Sequence, residues 1–186
     1  DYNTVRVNKL QSSVTRVYDS VCEFAEGFVG DSTVTEVLTK DEISPNNYKE
    51  LMPLLEKLND FRQRKSYIHN IFVYCSKSDC IVSSAAQPPE KFYKQNPKYS
   101  SYEYSDWRRV FLKNKQYNKF YPMEKLTDGA QVITFVNTLY SNNDVIGSLV
   151  IQIDAEEILG DVFFNEFESG SSLYILDNYK NILEII

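Results

Sequence analysis

Apolar residues recur along the N-terminal segment at alternating steps of four and three: Val7, Leu10, Val14, Val17, Val21, Phe24 and Phe28, with the polar Asn3 opening the series. That spacing is a heptad seam and predicts an amphipathic helix of about 25 residues, ended by Gly30. Such a seam packs along the body of its own chain or against a second copy of itself. A short helix is expected over 31–39. Ser44 followed by Pro45 reads as a cap and a first-turn proline for a further helix carrying Tyr48, Leu51, Leu55, Leu58 and Phe61. Pro53 lies inside that pattern and should kink or divide it at about 3 kcal/mol unless the freed carbonyl of Lys49 is hydrated.

The period then changes to two. IFVYCSKSDCIVSS, residues 71–84, reads as a hairpin within the segment 66–84, and a second follows over 131–154. Val132, Thr134, Val136, Thr138 and Tyr140 fall on one side of QVITFVNTLY, with Ile133, Phe135 and Leu139 on the other. Leu149, Ile151 and Ile153 alternate with Ser148, Val150 and Gln152. Residues 141–144 supply the turn, and Asp154, three residues before Glu157, reads as the cap of a helix over 155–164. Between the hairpins lie a loop broken by Gln87, Pro88 and Pro89, a tyrosine-rich stretch over 92–104 with little periodicity, and the helical segment YSDWRRVFLKN, for which Asp106 is a candidate cap. A third hairpin is expected over 170–186, with 177–181 as its turn.

Composition narrows the picture. In a chain of 186 residues, 42% hydrophobic content suffices for one sizeable core. A net charge of −6, with no basic run beyond the Arg62, Arg64, Lys65 cluster, argues against a nucleic-acid surface. Fourteen tyrosines beside 11 phenylalanines suit strands and half-wet pocket walls, where a ring packs and its hydroxyl finds a partner. No window approaches the roughly 20 apolar residues of a membrane span. The chain nevertheless begins inside a helical pattern and ends inside an apolar run, as an excised piece of a longer protein would, and a membrane anchor is expected in the flanks. Cys22, Cys75 and Cys80 fit no zinc spacing, and His69 is the single histidine, so no metal and no cofactor are expected. Cys75 and Cys80 flank the turn 76–79, either as a cross-strand disulfide or as two small apolar residues at a strand end. No GxSxG elbow, HExxH or phosphate-cradling glycine loop is present, and catalysis is not expected.

The order of a long helix, a helix, YIHNIFVYCSKSDCIVSS, a helical insertion with Trp107, QVITFVNTLY and GSLVIQIDAEEIL resembles the extracellular Cache sensor domains. These are PAS-like modules of bacterial transmembrane receptors, among them sensor histidine kinases and AraC-type transmembrane regulators. The resemblance implies an α+β fold in which a PAS-like antiparallel sheet has the long N-terminal helix packed along it. It also implies a two-module, double-Cache form: residues 1–165 as the membrane-distal sensor module, and 166–186 as the start of a membrane-proximal module that this chain does not complete. Further implications are a small-molecule ligand, an extracellular location, anchoring through flanking segments and a homodimer as one possible assembly.

Amino-acid-binding Cache modules carry an arginine two residues before the tryptophan, a tyrosine after it and an aspartate near the end of a later strand. Trp107 fits and Asp154 matches the aspartate, but Ser105 and Arg108 stand at the other two positions. Without the arginine the site lacks its fixed fork for a carboxylate, unless Arg108 or Arg109 supplies one from another direction. The candidate ligand-binding residues are therefore Tyr102, Tyr104, Trp107, Arg108, Tyr121 and Asp154, around a cavity between the second hairpin and 99–121, with Arg108 or a tyrosine hydroxyl as its main polar group. The competing reading is a ligand-free dimerisation ectodomain that acts through its N-terminal helix.

Overall fold

Alternation with period two builds the centre of the molecule. In the computed structural model, which describes residues 2–160, 174–176 and 182–185, the first hairpin becomes β1 (Ile68–Cys75) and β2 (Cys80–Val82), followed by the short β3 (Ala86–Gln87). The second becomes β5 (Gln131–Ser141) and β6 (Asp144–Asp154). With β4 (Lys119–Lys125) they form one antiparallel sheet in the order β3-β2-β1-β6-β5-β4. Both hairpins thus share a sheet, joined by β1 against β6 over Ile68↔Ile153 to Cys75↔Gly147. The β5–β6 turn has positive φ at Asn142 (50°) and Asn143 (69°), the two-residue geometry that matches strand twist. Gly147 is required by packing: a Cβ there would lie 2.0 Å from the Tyr74 carbonyl oxygen of β1.

Helices cover one face of the sheet. α1 (Tyr2–Val29) runs as a single rod and buries Leu10, Val17, Val21, Ala25 and Phe28, so the seam packs on its own chain. Val5 and Val7, in its first turns, are exposed. Phe24 of α1 stacks on Phe61 of α3 (Tyr48–Arg64) with ring centres 4.0 Å apart. Asp31 caps α2 (Ser32–Leu38), accepting from the Thr33 and Val34 amides. α3 starts at Tyr48 rather than at Pro45: Ser44 instead accepts from the Asn47 amide in a turn, and α3 then passes Pro53 undivided. Exposure of Lys49 lets water take the freed carbonyl. The odd-numbered strand residues Ile71, Val73, Cys75, Ile133, Phe135, Leu149, Ile151 and Ile153 join these helices in an aliphatic core.

Three elements were not legible, the two-residue β3 among them. α4 (Pro89–Gln95) occupies the expected loop, with Pro89 in its first turn, where a missing amide costs nothing, and Glu90 beside it. β4 runs through Pro122, tolerated because β4 is an edge strand with a register shift between Tyr121 and Glu124. α6 (Ala155–Leu159) begins at the Asp154 cap as expected; residues 161–164 lie outside the described set. β7 (Tyr174–Leu176) and β8 (Ile182–Ile185) pair antiparallel in a separate two-stranded sheet. The turn 177–181 and most of the expected second module also lie outside the described residues. No helix among the described residues is long and apolar enough to cross a membrane.

Candidate functional site

The other sheet face presents the even-numbered residues, and it is mixed. Phe72, Tyr74, Val132, Val136 and Val150 are apolar, while Thr134, Thr138, Ser148 and Gln152 are buried and polar. Residues 89–113 cross this face as a strap consisting of α4, a connecting loop, α5 (Tyr104–Trp107) and a π-helical segment, Arg108–Lys113. Each polar sheet residue is answered. The Tyr99 hydroxyl exchanges a hydrogen bond with Thr134 Oγ1 at 2.6 Å and accepts from Gln152 Nε2 at 2.9 Å. Ser148 donates to the Phe111 carbonyl (3.0 Å), and Thr138 Oγ1 accepts from the Gln116 amide (2.7 Å). Burial pushes the Tyr99 phenol well above its ordinary pKa, so the hydroxyl stays protonated and acts as a neutral strut.

Aromatic rings fill the remaining space in two groups. Trp107, only 3% exposed, meets Phe72, Phe92, Tyr93 and Tyr104 at ring-centre distances of 5.3 to 6.3 Å. Phe111 stacks on Tyr99 at 4.9 Å and meets Tyr102 and Tyr121 edge-on at 5.2 and 5.1 Å. Tyr104 and Trp107 thus fall in one ring group and Tyr102 and Tyr121 in the other, as ring packing between strap and sheet rather than as the walls of one open cavity. Among the described residues a space of about 10 Å³ stays open here, room for a single water, lined by Asn70, Phe72, Phe92, Tyr93, Asn96, Pro97, Lys98, Trp107 and Gln152. Trp107 alone among the expected residues lines it, and its polar groups are Asn70, Asn96, Lys98 and Gln152. A polar residue in mid-strand, as at Asn70 and Gln152, was the only available signal for these.

Arg108 is not the polar group of this space. Its guanidinium reaches the β1–β2 turn, where Nη2 donates to both carboxylate oxygens of Asp79 at 2.7 and 2.8 Å. The Tyr74 hydroxyl also donates to Asp79 (2.7 Å), and the Lys113 ammonium bonds the Tyr74 hydroxyl. Partial burial opposes ionisation of Asp79, but the Tyr74 hydroxyl and the Arg108 guanidinium outweigh it and hold the carboxyl below its ordinary range. Arg109 pairs with Asp106 at the surface, 2.9 Å away, so Asp106 is an ion-pair partner and not a cap. Asp154 is committed to α6, accepting from the Glu156 and Glu157 amides at 2.9 and 3.3 Å. His69 is half-buried, 3.7 Å from Asp128.

Cys75 and Cys80 are direct register partners across the first hairpin, and both are free buried thiols, as is Cys22. Their hydrogen bond, with burial, pushes the Cys75 thiol up, and the proton it shares pulls Cys80 down. Among the described residues no cluster of His, Cys, Asp and Glu is arranged to hold a metal.

No family model and no curated protein matches the chain. Solved structures do. The sensory domain of the Campylobacter jejuni chemoreceptor Tlp3 with isoleucine bound superposes with a TM-score of 0.56 at 15% identity, over 99% of this chain and 71% of that one. The extracellular domain of the histidine kinase vpHK1S-Z8 gives 0.56 at 12% identity, over 82% and 56%. A domain of a sensory box/GGDEF family protein from Vibrio parahaemolyticus gives 0.54 at 11% identity, over 87% and 61%. This chain has the PAS-like sensor fold. At such identities the likeness is one of fold, and the chain spans less than two thirds of the last two structures.

Proposed function

We propose that this chain is the extracellular small-molecule-sensing domain of a membrane-anchored signal-transduction receptor, a histidine kinase or a transmembrane transcriptional regulator, and that it binds its ligand without transforming it. The strap carries this reading. One irregular aromatic segment answers the buried Thr134, Ser148 and Gln152 of a sheet face, and the unfilled space beneath it is bounded by Trp107 and four polar side chains. Sensory domains of this fold support it, one of them solved with isoleucine bound. The anchor belongs to segments beyond residues 1–186.

With room for one water, a ligand enters only by displacing the strap, taking over the bonds from Thr134 and Gln152 that now hold Tyr99. The shift then has a short route to the signalling helix. On β4, Tyr121 faces Phe111 of the strap while its neighbour Phe120 stacks on Tyr18 of α1 at 5.1 Å, from the opposite side of the sheet. Moving this edge strand biases α1. The test is a thermal-shift screen of metabolites. A true ligand at about 100 times its dissociation constant stabilises by about 2.7 kcal/mol, and the shift is expected to vanish in a folded Trp107→Ala variant. A ligand whose shift survives that substitution rejects the site.

A second reading is favoured by the same packing. A face so nearly full suits a ligand-free structural or dimerisation module, acting through α1 and its exposed Val5 and Val7. A screen without hits, together with a concentration-dependent dimer lost in Val7→Lys, selects it.

A further inference from the structure

β1 is paired along its whole length on one side only. Toward β6 it is bonded from Ile68 to Cys75, but β2 reaches only Val73, Tyr74 and Cys75 before the chain turns away at Ser83 into β3. Residues 69–72 therefore have no neighbouring strand on that side, although Ile71 and Phe72 are covered, at 2% and 1% exposure. In an antiparallel ladder alternate residues direct both backbone groups to the same side, and those of Ile71 point away from β6. Two side chains stand in for the missing strand: Asn70 Oδ1 accepts from the Ile71 amide at 2.9 Å, and Ser83 Oγ donates to the Ile71 carbonyl at 3.1 Å. Both can rotate away.

The gap is flanked by space with the period of a strand. On the helical face, Ile71 opens onto a groove of about 330 Å³ floored by Met52, Leu55 and Leu58 and edged by Glu56, Asn59 and Arg62 of α3. On the aromatic face, Asn70 and Phe72 border the 10 Å³ cavity. Neither Glu56 nor Arg62 has an ion-pair partner among the described residues.

We infer that the edge of β1 at Asn70–Phe72, which lacks a strand partner and is covered by the Asn70 and Ser83 side chains, binds short free peptides by strand addition once those two side chains rotate away. A peptide residue placed opposite Ile71 supplies the one N–H and one C=O that its backbone groups need, replacing Asn70 and Ser83. Its side chain points to the same face as that of Ile71, into the α3 groove, and must be apolar and large. Its neighbours point to the aromatic face, where the space admits only glycine or alanine. Arg62 takes the terminal carboxylate. The site borders the space beneath the strap through Asn70 and Phe72, but its backbone bonds and the α3 groove do not depend on a ligand binding there.

The probe is the tripeptide Ala-Leu-Ala as the free acid, titrated by calorimetry with the Ile71 amide followed by NMR. Binding is expected with a shifted and exchange-protected Ile71 amide, and about tenfold weaker when the leucine nitrogen is methylated. Ser83→Ala, which uncaps the Ile71 carbonyl at no cost in volume, should bind several-fold tighter. Met52→Asp, at an exposed helix position that leaves the core intact, should abolish binding, and Arg62→Gln should weaken the free acid but not the C-terminal amide. Equal affinity for the N-methylated peptide overturns strand addition. Equal affinity of the wild type for acid and amide overturns the assignment to free peptides, in favour of a segment of a partner protein. No binding to wild type or Ser83→Ala at about 10 mM peptide overturns the site.

Discussion

The two faces of one sheet are held by different physics. On the helical face, Ile133, Phe135, Leu149, Ile151 and Ile153 meet α1, α2 and α3 through aliphatic contact, a non-directional attraction that scales with buried area. On the strap face, Thr134, Thr138, Ser148 and Gln152 aim hydrogen bonds at particular atoms of residues 99–116, and rings fill the rest. The difference teaches which face can change partners. An aliphatic core that loses its cover exposes surface that water does not compensate, whereas polar groups can exchange the strap for a ligand that offers the same donors and acceptors.

Substitutions should separate the faces. The largest effect is expected from Phe135→Ala, at a fully buried ring on the helical face: about 3–5 kcal/mol lost in urea unfolding, with no selective change in the strap. A loss confined to one region by hydrogen exchange would break the comparison. Gln152→Ala removes the donor to Tyr99 and should cost about 1–3 kcal/mol. Its signature is faster amide exchange over residues 96–113 than over α1, and uniform loosening of both would show that the strap is not a separable layer.

Asp154→Ala sharpens the assignment of that carboxylate. Loss of the α6 cap should lower stability by about 0.5–2 kcal/mol and leave affinity for any ligand that depends on Trp107 unchanged; a change in that affinity would return Asp154 to the site. The smallest effect belongs to Asp79→Asn, at the half-exposed clamp between the β1–β2 turn and Arg108. The Asp79 carboxyl is held below its unfolded pKa, so its contribution is present above the unfolded carboxylate value and is lost as pH falls through the folded one. Solvent screening keeps it below about 1 kcal/mol. Wild type and variant should therefore differ in urea midpoint near pH 6 and converge as the pH is lowered into the acid range.

The strands and the rod were legible because their signals are local. Val17, Val21 and Phe28 lie on one helix face by spacing alone, and Ile133 and Phe135 share a strand face by parity. α4 escaped because seven residues carry too few repeats to show a period, and β4 because Pro122 argues against a strand unless the strand is known to be an edge. Of the six expected ligand residues, Tyr102, Tyr104, Trp107 and Tyr121 all pack between strap and sheet, in two ring groups. Arg108 and Asp154 are committed to Asp79 and to the α6 amides, and a charge does not advertise its partner in sequence.

By itself the sequence determined the periodicities, the turns at 76–79 and 141–144 and the cap at Asp154, each a consequence of a few adjacent residues obeying backbone sterics. Tertiary structure alone decided that the strap would fill its own pocket, that Asn70, Asn96, Lys98 and Gln152 would border the space beneath it, and that β2 would leave β1 at Ser83 with the Ile71 backbone lacking a strand partner. The Ile71 backbone, left without a strand partner, is instead bonded by the Asn70 and Ser83 side chains, and all these outcomes depend on which distant segments compete for the same surface. Many pairings agree with the local pattern, and burial of the whole chain selects among them.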